Sequence, residues 1–325
     1  MRTAFWSATA IALAGWLVAA QGTRSTLDLY FIDVEGGQAT LIVSPTGASM
    51  MVDAGWAGFN GRDGDRIAAA AKQAGLARID NLVVTHYHAD HVGGVPALAA
   101  KLPIGTFVDH GPTVEEGAQP AALYRAYLDA QATGRHLLVK PGDSIAVPGI
   151  DVHVVSANGA VIGKALPGAG QANPLCRGFL PKDPDPSENA RSVGMVIAYG
   201  RFRMLDLGDL TWNKEHDLMC PNNLVGPIDL YLTSHHGLDQ SGSPILVHAI
   251  QPRVAVMNNG ARKGGVASAW QIVHDTPGLL DLWQLHYAVA GGPDHNAPEQ
   301  LIANVDEATG YGIKVSADRD GSFTV

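Results

Sequence analysis

Between positions 86 and 91 the chain reads His86-Tyr87-His88-Ala89-Asp90-His91. Three imidazoles and one carboxylate so close together contribute little to packing, but they are donors a metal ion takes. Imidazole with carboxylate suits Zn²⁺ most simply, with Fe and Mn as alternatives. His86 and His88 are two apart and project together, whereas Asp90 and His91 lie in the turn that follows and can face a second ion beside the first. Water activated by such ions attacks without a Ser or Cys nucleophile. The chemistry expected is therefore hydrolysis, with Asp90 holding one ion and orienting the attacking water.

Those residues need a rigid frame. The apolar run Leu82-Val83-Val84-Thr85 reads as a buried strand that delivers the histidines at its end. Gly93-Gly94, then Val95 and Leu98, read as the turn into a helix. Upstream, strands are expected over 27–33, 39–43 and 49–53, the last ending Asp53-Ala54-Gly55. The turn Val34-Glu35-Gly36-Gly37-Gln38 lacks the spacing and the lysine of a phosphate loop. A helix is expected over 63–77 and another over 121–133, with strands over 103–108, 137–139, 144–147 and 151–155. The strand over 103–108 ends Asp109-His110. A parallel strand that follows a helix delivers its end to the same edge as its predecessor, which places His110 near the metal. His153 sits in an alternating strand and is read as solvent-facing. Residues 156–186, rich in Gly, Pro and Asn, form a long loop expected to cover the site.

The layout then recurs. A hairpin over 192–207 ends Asp206-Leu207-Gly208-Asp209, as the earlier one ended Asp53-Ala54-Gly55. A later strand runs into Leu232-Thr233-Ser234-His235-His236, as the first ran into Val84-Thr85-His86. Alternating hairpins and helices indicate one layered α/β domain over 25–325 with an internal pseudo-duplication, its histidine strands meeting at one edge.

The run His86-x-His88-x-Asp90-His91 resembles the signature of the metallo-β-lactamase superfamily. The flanking residues are most similar to its branch related to the soluble domain of competence DNA-uptake proteins. The resemblance extends from about Leu27 to the end of the chain and implies a four-layer αββα sandwich. It also implies site roles. Asp209 fills the bridging position between two ions, and either His235 or His236 fills the late histidine position. Asp53 and Asp33 belong with the residues that orient the ligands, as do Asn189 and Ser192 of the Asn189-Ala190-Arg191-Ser192 run. The superfamily's middle histidine has no clear counterpart, His110 and His153 being the candidates. The fold hosts many substrates, so it implies no single one.

The 325 residues carry 22 basic and 31 acidic side chains, a formal charge of −9, with 46% hydrophobic and 16% charged residues. This describes a well-buried globular chain. The charge disfavours non-specific binding to nucleic acid or to anionic membranes and favours a small-molecule substrate. Residues 1–20, with Arg2, an apolar run and Val18-Ala19-Ala20, read as a secretory signal peptide, so the mature protein is expected outside the cytoplasm, secreted or periplasmic and without a stable membrane anchor. Cys176 and Cys220 form a plausible disulfide in that setting. The favoured function is an exported hydrolase with two zinc ions acting on a phosphodiester or other small ester. The alternatives are a β-lactamase or lactonase, and a non-catalytic metal- or ligand-binding protein.

Overall fold

The computed structural model describes residues 25–325; the expected signal peptide lies outside them. The chain runs through β1 (Leu27–Phe31), β2 (Thr40–Val43), β3 (Ser49–Val52), β4 (Ile79–Val83), β5 (Ile104–Asp109) and β6 (Arg135–Leu138). It continues through β7 (Asp151–Ala157), β8 (Ala160–Val161), β9 (Gly194–Tyr199), β10 (Phe202–Asp206), β11 (Leu230–Leu232), β12 (Val254–Met257), β13 (Asp281–His286) and β14 (Ile302–Asn304), and closes with β15 (Ile313–Ala317) and β16 (Phe323–Thr324). One sheet has the order β16-β15-β1-β2-β3-β4-β5-β6 and the other β14-β13-β12-β11-β10-β9-β7-β8. The helices are α1 (Arg62–Gln73), α2 (Ala89–Val92), α3 (Val95–Ala99), α4 (Ala118–Gln131), α5 (Trp212–Met219), α6 (Pro244–Ile250) and α7 (Ala267–His274).

Side chains alternate across a strand, so each sheet must bury both faces to use its apolar runs. Ile42, Met50 and Val83 of one sheet meet Met195, Met204 and Leu232 of the other in a central core. Their neighbours Leu41, Met51 and Leu82 point outward and are covered by Ile67 of α1, Leu98 of α3 and Tyr127 of α4. On the far side Leu205 and Tyr231 are covered by Leu218 of α5, Leu246 of α6 and Trp270 of α7. The result is four layers, αββα. Truncating a fully buried central residue such as Ile42 to Ala should cost about 2–5 kcal/mol.

The duplication is present in the hydrogen bonding. The series β1-β2-β3 is antiparallel and β3-β4-β5-β6 is parallel. The series β7-β9-β10 is antiparallel and β10-β11-β12-β13 is parallel. Parallel strands deliver their C-terminal ends to one edge, so β3, β4 and β5 and their counterparts β10, β11 and β12 all empty polar residues into one cleft. The strand expected over 144–147 is absent, because Ser144 makes only an isolated bridge to His153.

Residues 156–186 are tied in part to the outer helices. Cys176 is bonded to Cys220 just beyond α5, and Asn173 donates to the carbonyls of Met219 and Ile245 at 3.3 and 2.9 Å. Phe179 stacks on His216 of α5 at 4.3 Å. These contacts pin the loop to the outer helices. Further on, Leu180 O accepts from Trp212 Nε1 at 3.0 Å and Lys182 contacts Asp239 O, beside the segments that carry Asp209 and His236, and the single turn Glu188–Arg191 follows. Among the described residues no helix is long and apolar enough to cross a membrane.

Candidate metal centre

Strand β4 ends at Val83, and the next residues stay tied to the sheet edge: Val84 N–H donates to Val108 O at 2.9 Å. His86 and His88 follow, His88 in extended backbone, and α2 turns Asp90 and His91 back into the same cleft. From the other half, Asp209 follows β10 and His235-His236 follow β11. Atoms of Asp90, His91, Asp209 and His236 all lie within 4.8 Å of one another, and all four residues are buried. His91 Nε2 is 3.2 Å from Asp209 Oδ2, 3.3 Å from Asp90 Oδ2 and 3.1 Å from His236 Nε2. His236 Nε2 is 3.1 Å from Asp90 Oδ2. Beside this group, His86 Nε2 and His235 Nε2 lie 3.8 and 3.4 Å from Asp209 Oδ2. Asp209 therefore stands between two sets of imidazoles.

Hydrogen bonds on the far side of each ring decide which nitrogen is offered. Asp53 Oδ2 accepts from His91 Nδ1 at 2.7 Å and from Thr85 Oγ1 at 2.7 Å. Because Thr85 Oγ1 spends its proton on Asp53, it must accept from His86 Nδ1 at 3.0 Å. One buried carboxylate thus fixes two tautomers, leaving the Nε2 lone pairs of His91 and His86 facing the cleft. His88 is turned the other way. Its Nε2 donates to Glu115 Oε1 at 3.1 Å, which leaves Nδ1 as the free donor atom.

The late histidines sit under unusual backbone geometry. His235 and His236 both have φ of 55°, a conformation that costs a non-glycine residue energy and persists only when its surroundings fix it. His235 N–H donates to Gly208 O at 3.0 Å. Gly265 and Gly264 close in behind His236, where a Cβ on Gly264 would collide with the His236 carbonyl. Both imidazoles thereby face Asp209, so the structure brings the two to the cleft together rather than selecting one.

The electrostatics call for a cation. Burial disfavours charge on His91, yet the carboxylates of Asp209, Asp90 and Asp53 reverse this and hold its pKa well above the usual value. Burial also works against Asp209 and Asp90, and is overcome for Asp209 by His91, His235 and His236, and for Asp90 by His91, His236 and Lys263, so both acids sit well below the usual carboxylate range. Burial and repulsion from His91 keep His86 well below its ordinary value, in the neutral form a metal binds. Its Nε2 and Asp209 Oδ1 are buried without a hydrogen-bond partner. A proton on His91 is a poor substitute for a metal ion facing all of these atoms, and the donor set of imidazole and carboxylate is one that zinc, iron or manganese accepts.

The other residues singled out in the sequence are placed as follows. Ser192 Oγ accepts from Asp209 N–H at 3.2 Å and lies 3.5 Å from His86 Nδ1, so it backs both. Asn189 accepts from Ser192 N–H through its carbonyl at 3.2 Å, and its Oδ1 is buried without a partner. Asp33 is apart from the cluster; it joins His286 at 2.8 Å and Arg66 at 2.7 Å. His110 is not brought into the cluster either. Its Nε2 is engaged by Glu188 at 3.0 Å, and that pairing holds Glu188 below its usual range although burial pushes it up. His153 lies beside Ser144, 3.4 Å from its Oγ.

Three residues at the site carried no signal in the sequence. Glu188 Oε1 accepts from Thr113 Oγ1 and Val114 N–H at 3.0 and 2.7 Å, while its own N–H donates to Glu115 Oε1 at 3.0 Å. It therefore clamps the segment that carries Glu115 against His88. Lys263 contacts Asp90 Oδ2 from a loop after β12. Nothing local to either acid or to the lysine marks it out; each is recognised only by its partner's position.

Part of the chain is similar to known proteins. Residues 32–176 match the Metallo-beta-lactamase superfamily. Over 110 residues the chain is 36% identical to a hydroxyacylglutathione hydrolase of Stenotrophomonas maltophilia (strain R551-3), a match covering 31% of this chain and 37% of that protein. Over 196 residues it is 25% identical to competence protein ComA of Neisseria gonorrhoeae, covering 60% of this chain and 22% of that protein. The matches thus span well under half the length of either relative. Among solved structures, the metallo-beta-lactamase fold protein YhfI of Bacillus subtilis aligns over 80% of this chain and 96% of its own, with 12% identity and a TM-score of 0.48.

Proposed function

From the premise that this chain carries a metallo-beta-lactamase superfamily domain, we propose that it is a metal-dependent hydrolase with a dinuclear site. The observation that carries the proposal is the convergence of Asp90, His91, Asp209 and His236 on one point, with His86 and His235 on the other side of Asp209. Asp90, His91 and His236 would hold one ion, His86, His88 and His235 the other, and Asp209 would bridge them. Two divalent ions held there would supply a water nucleophile near neutral pH and draw charge from the group under attack. The chain's own residues do the rest. Asp53, Thr85 and Glu115 keep His91, His86 and His88 in their ligating tautomers, and Asp90 would orient the attacking water.

The bond we propose is an ester, either a phosphodiester or a carboxylic or thio ester. The similarity to a hydroxyacylglutathione hydrolase supports the thioester, and the net charge of −9 argues for a small molecule over a long polyanion. The leader-like residues 1–20 and the Cys176–Cys220 bond support an exported protein. Metal analysis tests the site, with turnover of bis-p-nitrophenyl phosphate, a thioester and nitrocefin by wild type and His91→Ala. About two ions per chain and ester turnover lost in the variant is the expected result. Nitrocefin turnover alone would replace the ester assignment with a lactam.

A further inference from the structure

The two sets of metal-facing imidazoles are held by different parts of the chain. His91 is backed by Asp53, and Gly264 and Gly265 close in behind His236. His86, His88 and Asp209 share a further support, the segment from Ser187 to Ser192. At its far end Ser192 Oγ accepts from Asp209 N–H at 3.2 Å and lies 3.5 Å from His86 Nδ1. Val193 N–H then donates to Thr85 O at 2.9 Å, which ties the segment to the strand end that carries His86.

At its near end stands Glu188, fully buried, with both oxygens filled by donors. Oε1 accepts from Val114 N–H at 2.7 Å and from Thr113 Oγ1 at 3.0 Å. Oε2 accepts from His110 Nε2 at 3.0 Å and from Tyr87 N–H at 3.2 Å. The Tyr87 bond fixes the peptide that joins His86 to Tyr87, one residue before His88. Thr113 passes the constraint on, since its Oγ1 accepts from Glu115 N–H at 3.1 Å. The N–H of Glu188 donates to Glu115 Oε1 at 3.0 Å, the oxygen that takes the His88 Nε2 proton at 3.1 Å. Glu188 thus reaches His88 by two routes, through the Tyr87 peptide and through Glu115. The His110 ring packs on Tyr87 at 5.0 Å and closes the network.

We propose that Glu188, held by His110, is the positioning residue for the ion at His86 and His88, so that the docking of residues 187–192 decides whether that ion is held, while the ion at Asp90, His91 and His236 is held without it. This rests on the dinuclear reading and deepens it, because it makes the two positions separable. It also gives His110 a role: the ring anchors the acid that sets the ligands. Glu188→Gln exposes the dependence. Its NH₂ faces Val114 N–H if it takes the Oε1 position and Tyr87 N–H if it takes the Oε2 position. Neither backbone donor can turn away, so either orientation forces the network apart.

The test uses the mature chain without metal, titrated calorimetrically with Co²⁺ and followed by the visible absorption of the bound ion. Wild type, Glu188→Gln and Thr113→Val are compared, and His88→Ala identifies which binding step belongs to the His86–His88 side. Two ions in wild type are expected. In Glu188→Gln the step missing from His88→Ala should weaken about 10- to 100-fold, while the other stays within roughly threefold of wild type. Thr113→Val, which breaks only the Thr113 link, should weaken the same step by a few-fold and leave the other alone. Equal weakening of both steps makes Glu188 a general support of the fold and overturns the proposal, and so does a wild-type affinity for both ions in Glu188→Gln. If Glu188→Gln fails to fold, Thr113→Val decides by the same criterion. Wild type that takes up fewer than two ions refutes the dinuclear reading itself.

Discussion

Replacing Asp53 by asparagine changes one oxygen to an amide nitrogen, and the structure says where the consequence falls. Asp53 is fully buried with φ of 57°, and its Oδ1 accepts from Thr85 N–H at 2.8 Å. That bond survives in Asp53→Asn if the amide oxygen takes the Oδ1 position. The amide NH₂ then stands where Oδ2 accepted from Thr85 Oγ1 and His91 Nδ1, and donors face donors. His91 can relieve this only by moving its proton to Nε2, which removes the lone pair aimed at the metal. Thr85 can relieve it only by reversing its hydroxyl toward His86, which removes the acceptor of His86 Nδ1–H. Loss of such a supporting contact weakens metal binding about 10- to 100-fold, or roughly 1.4–2.7 kcal/mol. Because two ligand tautomers depend on this acid, the upper part of that range is expected. The metal-free fold should lose about 3 kcal/mol as well, since a buried ion pair loses one partner. Chelator competition for zinc and urea melts of the metal-free protein measure the two effects separately. Zinc affinity within twofold of wild type would refute the tautomer argument.

Other outcomes follow from the same geometry. Glu115→Ala should weaken the metal on the His86–His88 side about tenfold, and Glu115→Gln, which keeps an acceptor for His88 Nε2–H, should retain most of the affinity; titration of metal-free protein with zinc resolves this. Glu215 is buried and accepts from Gly242 and Ser243 N–H at 2.7 Å each, and burial pushes its pKa from 4.5 up to about 7. The folded chain therefore keeps a proton that the unfolded chain releases, so this acid lowers stability as pH rises from 4.5 to 7, by at most about 3 kcal/mol. Urea melts of metal-free wild type and Glu215→Gln at both ends of that window should show the decline flattened in the variant. Replacing Cys176 and Cys220 by serine opens a crosslink of 44 residues and should cost about 4 kcal/mol of stability, while metal content stays the same because the bridge pins the outer helices.

The sequence made one half of the site legible and left the other half dark, for a physical reason. His86, His88, Asp90 and His91 are adjacent, so a strand end and one helical turn suffice to bring them together. Asp209, His235 and His236 were reachable through the family resemblance, and β10 and β11 do repeat the layout of β3 and β4. His110 was read as near the metal from position alone. It does arrive at the expected edge, but Glu188, 78 residues away in sequence, engages its ring. Glu115 and Lys263 contact His88 and Asp90 across 27 and 173 residues, and no local pattern announces a contact of that range. The long loop was expected over the cleft on composition; the disulfide and Asn173 tie its middle to α5 and α6, while Leu180 and Lys182 meet Trp212 and Asp239.

The most direct measurement is the metal content of the purified mature protein by mass spectrometry, wild type against His91→Ala and Asp209→Ala. Two ions per chain in wild type are predicted. The loss of one is expected in His91→Ala and of both in Asp209→Ala, because Asp209 faces both sets of imidazoles. A folded wild type that holds no metal after reconstitution, or an Asp209→Ala variant that keeps two ions, would contradict the account.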